Sequence, residues 1–136
     1  PVQPTQPTSP DLTTAAGVEQ TLIGTWIIDS CCQYSGGNWI ANTTNAVWQE
    51  RFTTDPYNSV PGSKSKACYY GIYGNANSTF SSWELSEMMY NAGGKFYIQG
   101  GLYTGYIYSI TPTTMITTVT ASNVMQGTYY FYHKVI

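Results

Sequence analysis

Short segments in which apolar and polar residues alternate recur along most of this chain, and residues that favour turns separate them. Alternation with a period of two places successive side chains on opposite faces of a β-strand. Gly, Asn and Pro between the segments favour tight turns. The predicted strands cover residues 22–34, 46–54, 66–73, 79–89, 95–99, 105–110, 115–120 and 127–135. No long helical pattern interrupts them, so the sequence predicts an all-β domain.

Eight short strands joined in sequence order favour an antiparallel sheet that closes on itself. A barrel of eight strands has an interior that side chains fill or that holds one small ligand. We therefore expect an eight-stranded antiparallel up-and-down barrel over residues 21–136, with a short extended piece near Trp39 in one of its loops. Residues 1–20 are expected to form a separate N-terminal arm with at most one helical turn.

The N-terminal arm begins with four prolines at a strict spacing of three, Pro1, Pro4, Pro7 and Pro10. A polyproline II helix has three residues per turn, so these prolines would lie along one edge of an extended rod about 30 Å long. Such a rod is either a spacer that separates the domain from a membrane anchor or a cleavage site, or an assembly arm. As an assembly arm it would dock on its own barrel or on a neighbouring subunit.

Charged residues make up only 9% of the chain, and the net charge is −2. A typical soluble domain contains about 25% charged residues. The five basic residues are scattered, which speaks against a nucleic-acid partner. No apolar run approaches the roughly 20 residues that span a bilayer. With no leader before Pro1, we expect a secreted or cell-surface protein, either free or tethered through its N-terminus.

Three cysteines, Cys31, Cys32 and Cys68, are compatible with one disulfide and one remaining thiol. Adjacent residues of a strand point to opposite faces, so only one member of the pair at 31 and 32 can face Cys68. The alternative is three buried thiols that act as small apolar side chains.

Two segments resemble a known family. Residues 22–26, LIGTW, resemble the Gly-x-Trp signature that opens the first strand of lipocalins and of compact lipocalin-like proteins secreted by bacteria. Residues 127–135, GTYYFYHKV, resemble the last strand of that bacterial group. The resemblance implies an up-and-down barrel that binds a small apolar ligand, with Lys134 packed over Trp26. Lys134 stands where the family usually has Arg, which weakens flat stacking.

A ligand bound in such a barrel would contact inward-facing side chains. The expected lumen residues are Trp26, Ile28, Phe96, Ile98, Tyr106, Tyr108 and Phe131. Tyr130 and Tyr132 would then lie outside, on the face opposite Phe131. Aromatic residues make up 15% of the chain, and so many would fill the lumen of a barrel of this size. Outside the barrel they would form a surface suited to protein interfaces or to stacking on glycans.

The residues that could support catalysis are few. His133 is the only histidine, and its strand position favours a structural role. Glu84 and Glu87 are three residues apart in a predicted strand, so they face opposite ways and cannot act as a paired acid and base. We expect no enzyme activity, no metal site and no cofactor.

Two functions from different classes remain. In the first, the protein is a structural subunit of a surface or extracellular assembly, filament-like, built through its N-terminal arm and its Tyr- and Thr-rich surface. In the second, it is a monomeric carrier that binds a small apolar ligand in the barrel. The low charge and the filled lumen favour the first.

Overall fold

The computed structural model describes residues 9–42, 47–75, 78–90, 93–119 and 127–136, and these residues form mainly β-structure. They comprise α1 (Ala15–Leu22), β1 (Gly24–Ser35), β2 (Asn38–Asn42), β3 (Trp48–Pro56), β4 (Lys66–Ile72), β5 (Thr79–Tyr90), β6 (Gly93–Gly100), β7 (Gly105–Ile110), β8 (Thr114–Thr118) and β9 (Gly127–Lys134). No helix in these ranges is long and apolar enough to cross a membrane. Three prolines of the predicted arm, Pro1, Pro4 and Pro7, lie outside the described residues.

The sheet closes because β1 pairs with β3 along one edge and with β9 along the other. Trp26 in β1 is opposite Glu50 of β3 and also opposite Lys134 of β9. Eight strands, β1 and β3 to β9, form the closed antiparallel ring, so the predicted barrel is confirmed. The expected extended piece near Trp39 is the additional strand β2, which pairs with residues 31–35 at the far end of β1.

Helix α1 is longer than the single turn predicted from the sequence, and it belongs to the barrel. Thr14 caps it by accepting a hydrogen bond from the Gly17 N–H at 3.1 Å. Val18 and Leu22 are four residues apart, so they share one helical face, and both are completely buried in the core. Because this face packs inside the barrel, the first strand begins at Gly24 rather than at Leu22, and the arm ends before α1.

The core is built from alternating residues of the strands. In β3, Glu50 and Phe52 are buried, whereas Arg51 between them is only half-buried. Phe52 packs edge-on against Trp83 of β5, with ring centroids 5.1 Å apart. The Trp83 indole N–H donates to the Thr53 carbonyl at 3.0 Å, so its polar atom is satisfied. Burying an aromatic side chain of this size contributes about 1.5–3 kcal/mol, which makes these rings major contributors to stability.

Candidate interaction surfaces and the barrel interior

The interior of the barrel is occupied by packed side chains. Trp26, Ile28 and Ile98 are members of the hydrophobic core, and Phe96 packs against it. Four of the predicted ligand-contacting residues therefore face inward. They contact other core side chains in the same interior where a carrier would hold its ligand.

The other three predicted lumen residues lie on the outer face of the sheet. The Tyr106 ring is 4.9 Å from that of Tyr97, and the Tyr108 ring is 5.5 Å from that of Tyr129. Phe131 contacts the half-exposed Trp39, with centroids 5.6 Å apart. A lumen position for these three side chains was the wrong expectation, because aromatic residues occupy both faces of their strands and alternation alone does not choose the inner face.

The last strand shows the same reversal. Tyr132 is a member of the core and Tyr130 packs against it, whereas they were expected outside. The pairing of β9 with β1 sets this orientation, since Ile28 is opposite Tyr132 and Cys31 is opposite Tyr130. Tyr130 stacks inside on Tyr103, with ring centroids 3.9 Å apart and planes at 14°.

Both ends of the barrel are covered by the chain itself. Helix α1 covers the end where β1 begins. The turn at residues 100–104 joins β6 to β7 at the opposite end, because successive strands of the ring alternate in direction. Leu102 and Tyr103 of this turn pack against the core, so the turn folds into the barrel mouth.

Glu50 holds this turn from inside the barrel. Its carboxyl group is buried, and its Oε2 atom accepts a hydrogen bond from the Leu102 N–H at 2.6 Å. Gly101 permits this approach because a Cβ atom there would lie only 2.3 Å from Oε2, and its φ of +73° favours glycine. Burial raises the pKa of Glu50 to about 8, although the Leu102 hydrogen bond lowers it. The carboxyl group is therefore mainly protonated at neutral pH.

The groups around Glu50 remain uncharged as well. Burial, together with the negative charge of ionised Glu50, raises the pKa of Cys68 to about 12. Burial also raises the pKa of Tyr132 well above its ordinary value. The thiol, the phenol and most of the carboxyl groups therefore keep their protons at neutral pH, so little charge is buried at this point of the interior. The sequence contained one signal for this site, since Glu50 lies on the same strand face as Trp48 and Phe52.

His133 forms a surface pair that the sequence did not predict. Its Nδ1 atom lies 2.5 Å from Asp29 Oδ1, and both side chains are about half exposed. A bulge between Ile28 and Ser30 shifts the register of β1 against β9 at this point. Within the described residues, no three His, Cys, Asp or Glu side chains come together to hold a metal ion.

Lys134 lies beside Trp26, as the family resemblance implies. Its Nζ atom is 5.6 Å from the centroid of the Trp26 ring and donates to the Thr21 carbonyl of α1 at 2.7 Å. The Trp26 indole N–H donates to the Leu22 carbonyl at 2.9 Å. At Gly24 a Cβ atom would meet Lys134 Cε at 2.8 Å, so the glycine makes room for this side chain. Together these contacts attach α1 to the closing strands.

The three cysteines are thiols, and the structure contains no disulfide between them. Cys68 is buried beside Glu50, and the pKa of Tyr130 inside the barrel is raised by burial and by interactions with Cys31. Cys32 follows Cys31 in β1, where successive side chains face opposite ways.

Among the residues that the structure describes, the largest group of contacting aromatic side chains on the outer face surrounds Trp39 in β2, and we call it the outer aromatic surface. It consists of Tyr34, Trp39, Tyr108, Tyr129 and Phe131. The Trp39 ring makes edge contacts with three of these rings at centroid distances of 4.9 to 5.6 Å. It stays 46% exposed, whereas Tyr129 beneath it is 2% exposed. Trp39 was not among the predicted site residues, since only the β2 pairing brings it to β9.

An open groove of about 400 Å³ lies outside the barrel near α1. It is lined by Glu19, Thr54, Pro56, Ser63, Lys64, Ser65, Lys66, Glu84 and Leu85. Lys66 forms an ion pair with Glu19 within this lining. The groove is mixed in polarity, which does not match the apolar lumen site that was expected.

The fold and its surfaces define a closed antiparallel β-barrel with a cluster of buried side chains inside and aromatic side chains outside. Comparison with protein-family models, with curated proteins and with solved structures finds no match.

Proposed function

We propose that this protein is a non-enzymatic structural subunit of an extracellular assembly, in which copies associate through the outer aromatic surface. The observation that carries the proposal is Trp39, a 46% exposed tryptophan held by neighbouring rings on the outside of a barrel whose interior is packed. Aromatic side chains fixed in this way are typical anchors of protein interfaces, because they bury a large area at a small entropic cost.

The charge of the chain supports association between copies. Only 9% of the residues are charged and the net charge is −2, so electrostatic repulsion between identical surfaces is weak. A tyrosine-rich surface of this kind favours self-association over long-range electrostatic binding.

A carrier of a small apolar ligand is the alternative that the family resemblance implies. It requires open space in the lumen. In this barrel Phe52, Trp83 and Trp26 pack in the interior, and Glu50 keeps the 100–104 turn within the mouth. This packing favours the structural subunit over the carrier.

The proposal is tested by measuring particle mass by light scattering over a wide range of protein concentration. We expect the full chain to form larger particles as concentration rises. Trp39→Ala should weaken association roughly tenfold or more, because truncating an aromatic hot-spot residue costs about 2 kcal/mol or more. Tyr108→Ala, at the other side of the same surface, should act in the same direction.

Val60→Ser is the matched control, since Val60 is a 62% exposed apolar residue in a loop away from the outer aromatic surface. It should assemble like the unchanged chain, and circular dichroism should show that all variants keep the barrel. A full chain that stays monomeric throughout contradicts the proposal. Saturable one-to-one binding of an apolar fluorescent dye by that monomer would instead favour the carrier.

A further inference from the structure

A second set of aromatic side chains lies outside the barrel on strands β3, β4 and β5, and we call it the aromatic row. Tyr69 in β4 is opposite Arg51 of β3 and opposite Phe80 of β5, so the three form one line across the sheet. Tyr57, just after β3, joins the row by stacking on Phe80. The row consists of three rings, those of Tyr57, Phe80 and Tyr69, with the Arg51 guanidinium carbon 4.5 Å from the Tyr69 centroid.

The aromatic row is open to solvent. Phe80 is 53% exposed and Tyr57 is 40% exposed. Tyr57 is nevertheless held in place, because its N–H donates to the Ser65 carbonyl at 3.0 Å. The outer aromatic surface differs, since there Trp39 covers Tyr129. A fixed but uncovered line of rings is suited to binding an extended segment.

The spacing of the rings is compatible with the spacing of the prolines in the N-terminal segment. Phe80 lies 5.3 Å from Tyr57 and 5.2 Å from Tyr69, so the outer two rings are at most about 10.5 Å apart. In a polyproline II helix, residues three apart lie on one edge about 9 Å from each other. Two successive prolines of the Pro1–Pro10 series could therefore contact the row on either side of Phe80.

The chemistry of the row also fits such a segment. A polyproline II backbone has no internal hydrogen bonds, so its carbonyl groups need external donors. Arg51 and the hydroxyl groups of Tyr57 and Tyr69 supply donors along the row. Residues 1–10, PVQPTQPTSP, contain no charged side chain that would repel Arg51. Aromatic grooves are the common recognition surface for proline-rich segments because the rod is already extended and loses little entropy on binding.

We propose that the aromatic row binds the Pro1–Pro10 arm of a second copy of this chain. The inference rests on the proposed function and adds a second contact between copies, made by the N-terminal segment. A second copy is favoured because ten residues in the polyproline II conformation would span about 30 Å, far enough to reach a neighbouring barrel. Pro10 lies two residues before Leu12, which packs against the core, so the proline series ends where the chain joins the barrel.

The test uses a fluorescent peptide of residues 1–10 and the full chain carrying Pro4→Ser and Pro7→Ser, so that its own arm does not compete. Anisotropy should show saturable binding of the peptide. Adding Phe80→Ser, or Tyr57→Ser as a second variant, should weaken binding about tenfold or more, and Val60→Ser should leave it unchanged. A peptide of the same composition with the spacing of three removed should not compete.

Several results separate this inference from the proposed function. Equal binding of both peptides, or binding that Phe80→Ser and Tyr57→Ser leave unchanged, overturns the inference. If the unchanged chain assembles and excess peptide does not weaken its assembly, assembly stands but the arm does not contact a second copy. If the peptide binds the row while the unchanged chain is monomeric at every concentration, each arm occupies its own row, and the assignment to a second copy is wrong together with the proposed function.

Discussion

The buried carboxyl group of Glu50 should make the stability of this barrel depend strongly on pH. The folded protein keeps the Glu50 proton up to about pH 8, whereas the unfolded chain releases it near the ordinary pKa of 4.5. Between these two pH values the folded state binds more protons than the unfolded state, so stability falls as pH rises. The stabilisation that the protonated Glu50 carboxyl group provides is fully present below pH 4.5 and is lost as pH rises through about 8.

The size of the effect follows from the width of this window. One pKa unit corresponds to about 1.4 kcal/mol, so the shift implies a loss on the order of 5 kcal/mol across the window. Domains of this size have a free energy of unfolding of only about 5–15 kcal/mol. The groups that face Glu50 add little, because the pKa values of Cys68 and Tyr132 are also raised and both side chains stay neutral over the same range.

Glu50→Gln is the informative variant. The amide keeps an oxygen that can accept from the Leu102 N–H, but it has no proton to lose. Urea unfolding at pH 5 and at pH 8, which lie within or at the edge of the window, should show a loss of several kcal/mol for the unchanged protein and a much smaller change for the variant. Glu87→Gln, which alters an exposed carboxylate, should retain the pH dependence of the unchanged protein.

Equal pH dependence of the unchanged protein and Glu50→Gln would refute this reasoning. It would mean that water reaches the carboxyl group, or that a charged partner compensates it, in solution. The 100–104 turn would then not be held by a protonated group. An interior open to water would favour the alternative function, a carrier of a small apolar ligand.

Two further predictions concern close contacts. Gly101→Ala should destabilise the barrel by roughly 2 kcal/mol or more, because the new Cβ atom meets Glu50 and the φ of Gly101 is positive. Gly62 also has a positive φ but has open space around it, so Gly62→Ala should cost only about 1 kcal/mol. Equal losses in thermal or urea unfolding would show that the turn does not press on Glu50. Lys134→Met should keep the packing over Trp26 but lose the hydrogen bond to the Thr21 carbonyl of α1. Urea unfolding should show a loss of stability of about 1.5–3 kcal/mol. No measurable loss would contradict the attachment of α1 through Lys134.

The positions of most strands along the chain were predictable from local patterns. Alternation in segments such as residues 46–54 is a property of neighbouring residues, and it places strand β3 within two residues of its observed bounds. The inward face of that strand was also predictable, because its alternation is unambiguous. The length of α1 was underestimated, since its helical face is stabilised by packing of Val18 and Leu22 inside the barrel rather than by intrinsic propensity.

The sequence by itself determined that this chain is an all-β domain with few charges and many aromatic side chains. The tertiary structure alone decided which aromatic residues fill the interior and which stand outside, because β9 carries rings on both faces and only its pairing with β1 selects one. It also brought Leu102 to Glu50 and Trp39 to Tyr129, contacts between residues far apart in the chain. Such contacts depend on sheet closure, which no local pattern of residues encodes.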